Sequence, residues 1–193
     1  STTYAASTAF VTNALGSLPV PFEFNTTAAT GVQGIQSVLA GGNAPQATGA
    51  RSIAMGNVTE ASGLASTAMG NATEATAVYS TAMGNGSVAS GNISTAMGDG
   101  TSASGLVSTA MGYETIASGR SSTAMGDSTS ASGRSSTAIG QFNVINTGDN
   151  ATTFDLTNTA FAIGNGTTAA LSSDAFKVLF NGTTTIAGSI TGT

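Results

Sequence analysis

Residues 121–134 read SSTAMGDSTSASGR, and residues 135–140 open the same phrase again with SSTAIG. Stepping back in fourteens meets it each time, as STAMGYETIASG at 108–119, STAMGDGTSASG at 94–105 and SIAMGNVTEASG at 52–63. The columns are strict. Ser52, Ser66, Ser80, Ser94, Ser108, Ser122 and Ser136 align, and two places on come Ala54, Ala68, Ala82, Ala96, Ala110, Ala124 and Ala138. Met55, Met69, Met83, Met97, Met111 and Met125 follow, then Ile139, so all six methionines share one column. Gly56, Gly70, Gly84, Gly98, Gly112, Gly126 and Gly140 close the first half. Ala61, Ala75, Ala89, Ala103, Ala117 and Ala131 mark the second half.

A fixed period of this size means a solenoid, with each repeat forming one coil stacked on its neighbours. The density of Gly, Ser and Thr argues against helix. Fourteen residues suit two strands of about five residues and two short turns, each coil adding about 4.8 Å of length. Alternation along Ser-Thr-Ala-Met-Gly then puts Ser66, Ala68 and Gly70 on one face, with Thr67 and Met69 on the other. In the second strand, Thr73, Ala75 and Ala77 face away from Glu74 and Thr76. Pairing the two small faces predicts a narrow interior lined by the two alanine columns, Ala54 to Ala124 and Ala61 to Ala131. The turns are expected to use Asn71, Asn85, Asp99 and Asp127, residues that tolerate positive φ or cap a turn.

The two outer faces differ. The second strand shows Glu60, Glu74, Val88, Ser102, Ile116 and Ser130, an unconstrained column that reads as solvent-facing. The first strand shows a repeated Thr-x-Met ladder: Thr67, Thr81, Thr95, Thr109 and Thr123 beside the methionines. A regular apolar stripe is either buried or a binding surface. An alanine core alone buries little apolar area. Closing three copies about an axis, with the ladder from Met55 to Ile139 inside, would supply the missing core.

This pattern resembles the head domain of trimeric autotransporter adhesins, whose repeat runs Ser-x-Ala-x-Gly, a turn, then Ala-Ser-Gly. The likeness covers residues 44 to about 148, with an echo in AFAIGNGT (160–167). It implies an all-β, left-handed parallel β-roll solenoid of 14-residue repeats, assembled as a homotrimer, with short non-repeat segments at both ends. The flanks point elsewhere. STTYAASTAFVTNAL (1–15) looks like a segment that recurs in phage tail-fibre proteins. SSDAFKVLFNGTTTIAGSI (172–190) is similar to the strand-rich segment preceding an endosialidase-type chaperone at fibre C-termini. Together they imply a structural, host-attachment segment of a viral tail fibre, located in the virion, whose host receptor is a glycan or a protein. The alternatives are the head of a bacterial surface adhesin and an ice-binding β-solenoid with the Thr-x-Met face exposed on a monomer.

Three regions are expected: a connector over 1–43 with helical character at 5–15 and an extended SLPVPFEFN (17–25), the roll over 44–150, and a β-rich segment over 151–193. STTYAASTAF lacks the basic start of a secretion signal and an initiator methionine, which reads as an excised piece of a longer chain. No run of about 18 apolar residues occurs, so no membrane insertion is expected. A net charge of −5 with four cationic residues makes nucleic acid an unsuitable partner.

Candidate chemistry is sparse. The chain has no Cys and no His, which removes thiol sites, disulfides and Ser-His-Asp or Cys-His catalysis. Glu60 and Glu74 lie one coil apart, near the spacing of a retaining glycosidase pair, but with no aromatic nearby they read as surface carboxylates. Asp99 and Asp127 lack the Asp-x-Asp-x-Asp spacing of a calcium loop and read as turn caps. No catalytic residue, metal site or cofactor is expected. Arg120 and Arg134, stacked one coil apart where earlier coils carry Leu64, Val78 and Leu106, fit either inter-subunit pairing with Glu114 or Asp127 or a small anion patch. The Asn-x-Ser/Thr triplets opened by Asn57, Asn71, Asn85, Asn92, Asn150, Asn165 and Asn181 arise freely in so Ser- and Thr-rich a chain and carry no inference.

Overall fold

A computed structural model describes residues 22–25, 34–37 and 44–188. The expected helical character at 5–15 lies outside the described residues. In each repeat, Ser-Thr-Ala-Met-Gly-Asn/Asp or a variant of it supplies a five-residue strand: β3 (Ile53–Asn57), β5 (Thr67–Asn71), β7 (Thr81–Asn85), β9 (Thr95–Asp99), β11 (Thr109–Tyr113), β13 (Thr123–Asp127) and β15 (Thr137–Gln141). Between them lie strands of only two residues: β4 (Glu60–Ala61), β6 (Glu74–Ala75), β8 (Val88–Ala89), β10 (Ser102–Ala103), β12 (Ile116–Ala117) and β14 (Ser130–Ala131). Long strands pair in parallel with long, and short with short, always in 14-residue register, so Met55 stands beside Met69 and Met69 beside Met83. The repeat region is therefore an all-β parallel solenoid with two unequal walls.

The expectation of two strands of about five residues is corrected for the second wall. The N–H groups of Ser62 and Gly63 both converge on the Ala75 carbonyl, at 3.1 and 3.2 Å, instead of advancing one residue per bond. The chain bends there and the ladder stops.

The long sheet continues past the coils. At one end β1 (Phe22–Asn25) pairs antiparallel with β2 (Gly34–Ser37), which pairs in parallel with β3. At the other, β16 (Thr159–Asn165) extends β15 in parallel, and β17 (Asp174–Leu179) and β18 (Thr184–Ile186) add antiparallel strands. The short sheet ends at β14. There the Asn143 side chain takes the place of a further strand: its Oδ1 accepts the Ser130 N–H at 2.7 Å and its Nδ2 donates to the Ser130 carbonyl at 3.0 Å. Residues 146–158 fold back over the open coil. Asp149 accepts from Asn146 Nδ2 at 2.8 Å, the Thr159 N–H at 2.9 Å and Ser132 Oγ at 3.1 Å. Asn158, fully buried, exchanges two hydrogen bonds with the Asn150 backbone.

The interior is built from the smallest side chains. Ala54, Ala68, Ala82, Ala96, Ala110 and Ala124 from the long strands, and Ala61, Ala75, Ala89, Ala103 and Ala117 from the short ones, are wholly inaccessible; Ala131 retains 2%. Buried Ser and Thr flank them, and nothing larger than Thr is enclosed within the coils. Hydroxyls stitch the turns. Ser52, Ser80 and Ser136 donate to the carbonyls of Gly49, Ala77 and Gly133 at 2.6–2.7 Å. Such a core gains little from apolar burial, about 0.8 kcal/mol per methyl-sized group, so the inter-coil backbone bonds carry much of the cohesion.

Those bonds run on through the turns. One residue per turn adopts left-handed φ and donates its N–H to the previous coil. Ala72 donates to Asn57 O, Glu114 to Asp99 O, Tyr79 to Leu64 O and Ile93 to Val78 O, all at 2.8 Å. Of the two roles open to the Asn/Asp column, positive φ and turn capping, the first is not taken up. The left-handed residue is the next one: Val58, Ala72, Gly86, Gly100, Glu114, Ser128 and Phe142, at φ 42–63°. The strand glycine is a different case. Gly84 has φ +114°, and a Cβ there would collide with the carbonyl oxygen of Gly98 in the adjoining coil.

Two glycine substitutions separate these requirements. Gly84→Ala is expected to lower stability by about 3 kcal/mol or more, through strain and collision with backbone. Gly86→Ala, at φ +59° and facing open space, is expected to cost only about 1 kcal/mol. Thermal unfolding followed by circular dichroism checks both, and equal losses would refute the close-approach account.

Candidate functional site: the outer face of the long sheet

Because successive residues of a strand point to opposite sides, enclosing Ser66 and Ala68 forces Thr67 and Met69 outward. Parallel register repeats this in every coil. Met55, Met69, Met83, Met97, Met111, Met125 and Ile139 form one column, and Thr67, Thr81, Thr95, Thr109, Thr123 and Thr137 a second beside it. Every member is half-buried in the single chain. Neighbours within a column are about 4.8 Å apart, so the methionines touch and cover one another only partly.

The face runs further than the repeat itself. Ile53 begins the threonine column and is also half-buried. Beyond β15, Ile139 pairs with Ile163 and Thr137 with Phe161. Across the antiparallel turn, Ile163 pairs with Phe176 and Phe161 with Val178, the two phenylalanine rings lying 6.2 Å apart and tilted by 60°. AFAIGNGT carried the signal for β16 as an echo of the repeat. Phe176 and Val178 had no period to reveal them, because an antiparallel strand obeys no 14-residue spacing.

The long strands begin and end at opposite edges of the flat roll, about 16 Å apart. At the end edge, Asn57 Nδ2 donates to Asn71 Oδ1 (2.7 Å), Asn71 to Asn85 (2.6 Å) and Asn85 to Asp99 Oδ1 (2.8 Å). Asn71 and Asn85 are thus each donor to one coil and acceptor from another, and the run terminates on a carboxylate, which can only accept. These residues act as inter-coil ties and not as left-handed turn formers. The column continues as Tyr113, Asp127 and Gln141. The Tyr113 phenol is held above its ordinary pKa chiefly by the bond it donates to Glu114, then by that carboxylate's charge, with smaller contributions from desolvation, Asp99 and Asp127. The start edge carries Arg120 and Arg134, whose backbone N–H groups bind the folded-back segment at Ala151 O (2.7 Å) and Asn150 O (2.8 Å).

Other candidates are not assembled into a site. Glu60 and Glu74 pair across β4 and β6 on the outer side of the short sheet, followed by Val88, Ser102, Ile116 and Ser130 on the same flat column. Among the described residues, no group of three or more His, Cys, Asp or Glu side chains is placed to hold a metal ion. An open groove of about 350 Å³ lies beside the C-terminal cap, lined among others by Glu114, Ile116, Ser130, Phe142 and Val144. Near it, burial pushes the Asp174 carboxyl up, partly offset by the Val144 N–H it accepts at 2.9 Å and by Lys177. No helix among the described residues is long and apolar enough to cross a membrane.

The coils match a known repeat. The family model described as the YadA head domain repeat, two copies in length, fits residues 47–73, 61–87, 75–101, 89–115 and 117–143. The first four matches step by one 14-residue coil and the last by two, all in phase with the strands. No curated protein matches the chain. The repeat region is thus made of YadA head-type repeats, the trimeric autotransporter adhesin head.

The end-edge cluster yields a titration test. Replacing Glu114 with Gln removes a charge that disfavours the phenolate and weakens the bond that favours the neutral phenol. The pKa of Tyr113 is therefore expected to fall in E114Q, as read by ultraviolet difference titration against the parent chain. An unchanged or raised value would show that Glu114 does not govern it.

Proposed function

We propose that this chain is a non-enzymatic head segment of a homotrimeric surface adhesin, its three long sheets packed around a common axis through the methionine ladder. The observation that carries the reading is the uninterrupted, half-buried Thr-x-Met face in a region built of YadA head-type repeats. The coils enclose chiefly alanine, serine and threonine, while every methionine lies on one outward stripe. Methionine suits such a seam, since an unbranched thioether fills the irregular gap between three converging walls. On this reading Phe161, Ile163, Phe176 and Val178 carry the seam beyond the last coil.

The function is mechanical and multivalent: a stiff rod that presents three copies of any receptor-binding surface, raising avidity by effective concentration. The partner is a host or matrix molecule at the bacterial cell surface, of glycan or protein nature. The absence of His and Cys, and the place of the Glu60–Glu74 pair on the outer side of the short sheet, support a role without catalysis. The same rod would serve in a viral tail fibre, as the resemblance of 1–15 and 172–190 suggests. The repeat match favours the adhesin setting.

Light scattering coupled to gel filtration tests assembly directly. The expected mass is three times the chain's 18.6 kDa. The doubly substituted Met83→Asp, Met97→Asp chain is expected to run as a monomer, because six carboxylates would be buried at two adjacent levels of the axis. A native trimer in that variant would remove the ladder from the interface. A parent chain with the mass of one copy would leave the threonine column exposed and favour an ice- or surface-binding solenoid.

A further inference from the structure

The two edges of the roll are chemically opposite. All three arginines of the chain, Arg51, Arg120 and Arg134, lie where the long strands begin. Asp99, Glu114 and Asp127 lie where they end. The start edge is also apolar in its earlier coils. Tyr79, Ile93 and Val107 are 55%, 53% and 46% exposed, with Leu106 beside them at 38%. Each of the first three holds a left-handed φ of 57–59°. For an aromatic or β-branched side chain this conformation is strained by about 1–2 kcal/mol. Serine takes the same position at Ser121 and Ser135, so bulk is not required by the turn. Strained, bulky and solvent-facing residues in successive coils point to a surface that is covered in the assembled protein.

We propose that this start edge docks against the end edge of a second copy of the chain, with Arg120 and Arg134 paired to Glu114 and Asp127 of the neighbouring copy. This rests on the trimer reading and adds its lateral contacts. A cyclic arrangement of parallel rods, sheet faces inward, brings unlike edges together at each corner, which is the heterologous contact that closes a ring. Rotation about the axis leaves height unchanged, so heights within one chain can be compared directly. Arg120 stands between the levels of β11 and β13, and those strands lead at their other ends to Glu114 and Asp127. Arg134 stands between β13, which ends in Asp127, and β15. The charges therefore meet their opposites with no axial shift. Within one chain they are held apart by the length of a long strand. Complementary edges of this kind fix partner and register more than raw affinity.

Charge reversal in the full chain tests the pairing. Arg120→Glu with Arg134→Glu, and separately Glu114→Arg with Asp127→Arg, are each expected to raise the concentration for half-dissociation of the trimer by at least about tenfold at low salt. The chain carrying all four substitutions is expected to recover the parent value, since its edges are again complementary. An effect confined to a single chain, such as loss of the Tyr113–Glu114 bond, would not be rescued by changes on the far edge. Trimers of parent stability in both reversed variants would overturn the edge contact while leaving the axial ladder standing. A monomeric parent chain would overturn both.

Discussion

At Gly56, Gly70, Gly84, Gly98, Gly112 and Gly126 the backbone of one coil passes so near the next glycine's carbonyl that no Cβ can be accommodated. Much of the architecture depends on this approach. It lets the long strand turn at its end while adjoining coils stay closely stacked, and between the two walls only small methyl- and hydroxyl-bearing side chains are enclosed. Larger apolar residues are thereby kept out of the interior. The methionines, which an ordinary domain would place in its core, lie on the outside of each chain because the core has no room for them.

From this follows a division of labour between backbone and side chain. Within a coil stack, cohesion comes from hydrogen bonds that continue through strands and turns alike, including the left-handed residues that hand an N–H to the preceding coil. Outside it, the Asn57–Asn71–Asn85–Asp99 run adds side-chain bonds with the same period. Apolar cohesion is left to the exposed stripe. A chain so arranged gains comparatively little from its own hydrophobic interior and would gain a great deal from a neighbour, which is the physical basis of the proposed assembly.

Much of this was legible in the sequence because strict periodicity turns each column into a structural position. The alanine columns and the methionine ladder could be written down before any coordinates, since alternation along a strand leaves no freedom once one face is known to be enclosed. Three features escaped. The short strands, read as five residues, contain two, because the Ser62–Gly63 bend sends two N–H groups to one carbonyl and composition does not encode that. The Asn/Asp column was read as tolerating positive φ or capping a turn, which left the left-handed position open. Its neighbours hold that conformation, among them Val58 and Ala72, whose types give no hint of it. The C-terminal cap depends on Asn143, Asp149 and Asn158, isolated residues with no repeat to mark them, and they become interpretable only when the fold-back places them against Ser130, Ser132 and Asn150.

The hydrogen bonds between coils lie along the rod, and this governs how it would respond to tension. A pull from end to end loads those bonds in series, so coils would open one after another and not shear together. Each coil that opens would release about 45 Å of chain in exchange for about 5 Å of rod. A single roll would thus yield as a sequence of small steps, each dissipating energy before the next begins. Three rolls braced edge to edge would have to open in concert, raising the force for the first step while preserving the long extension that follows it.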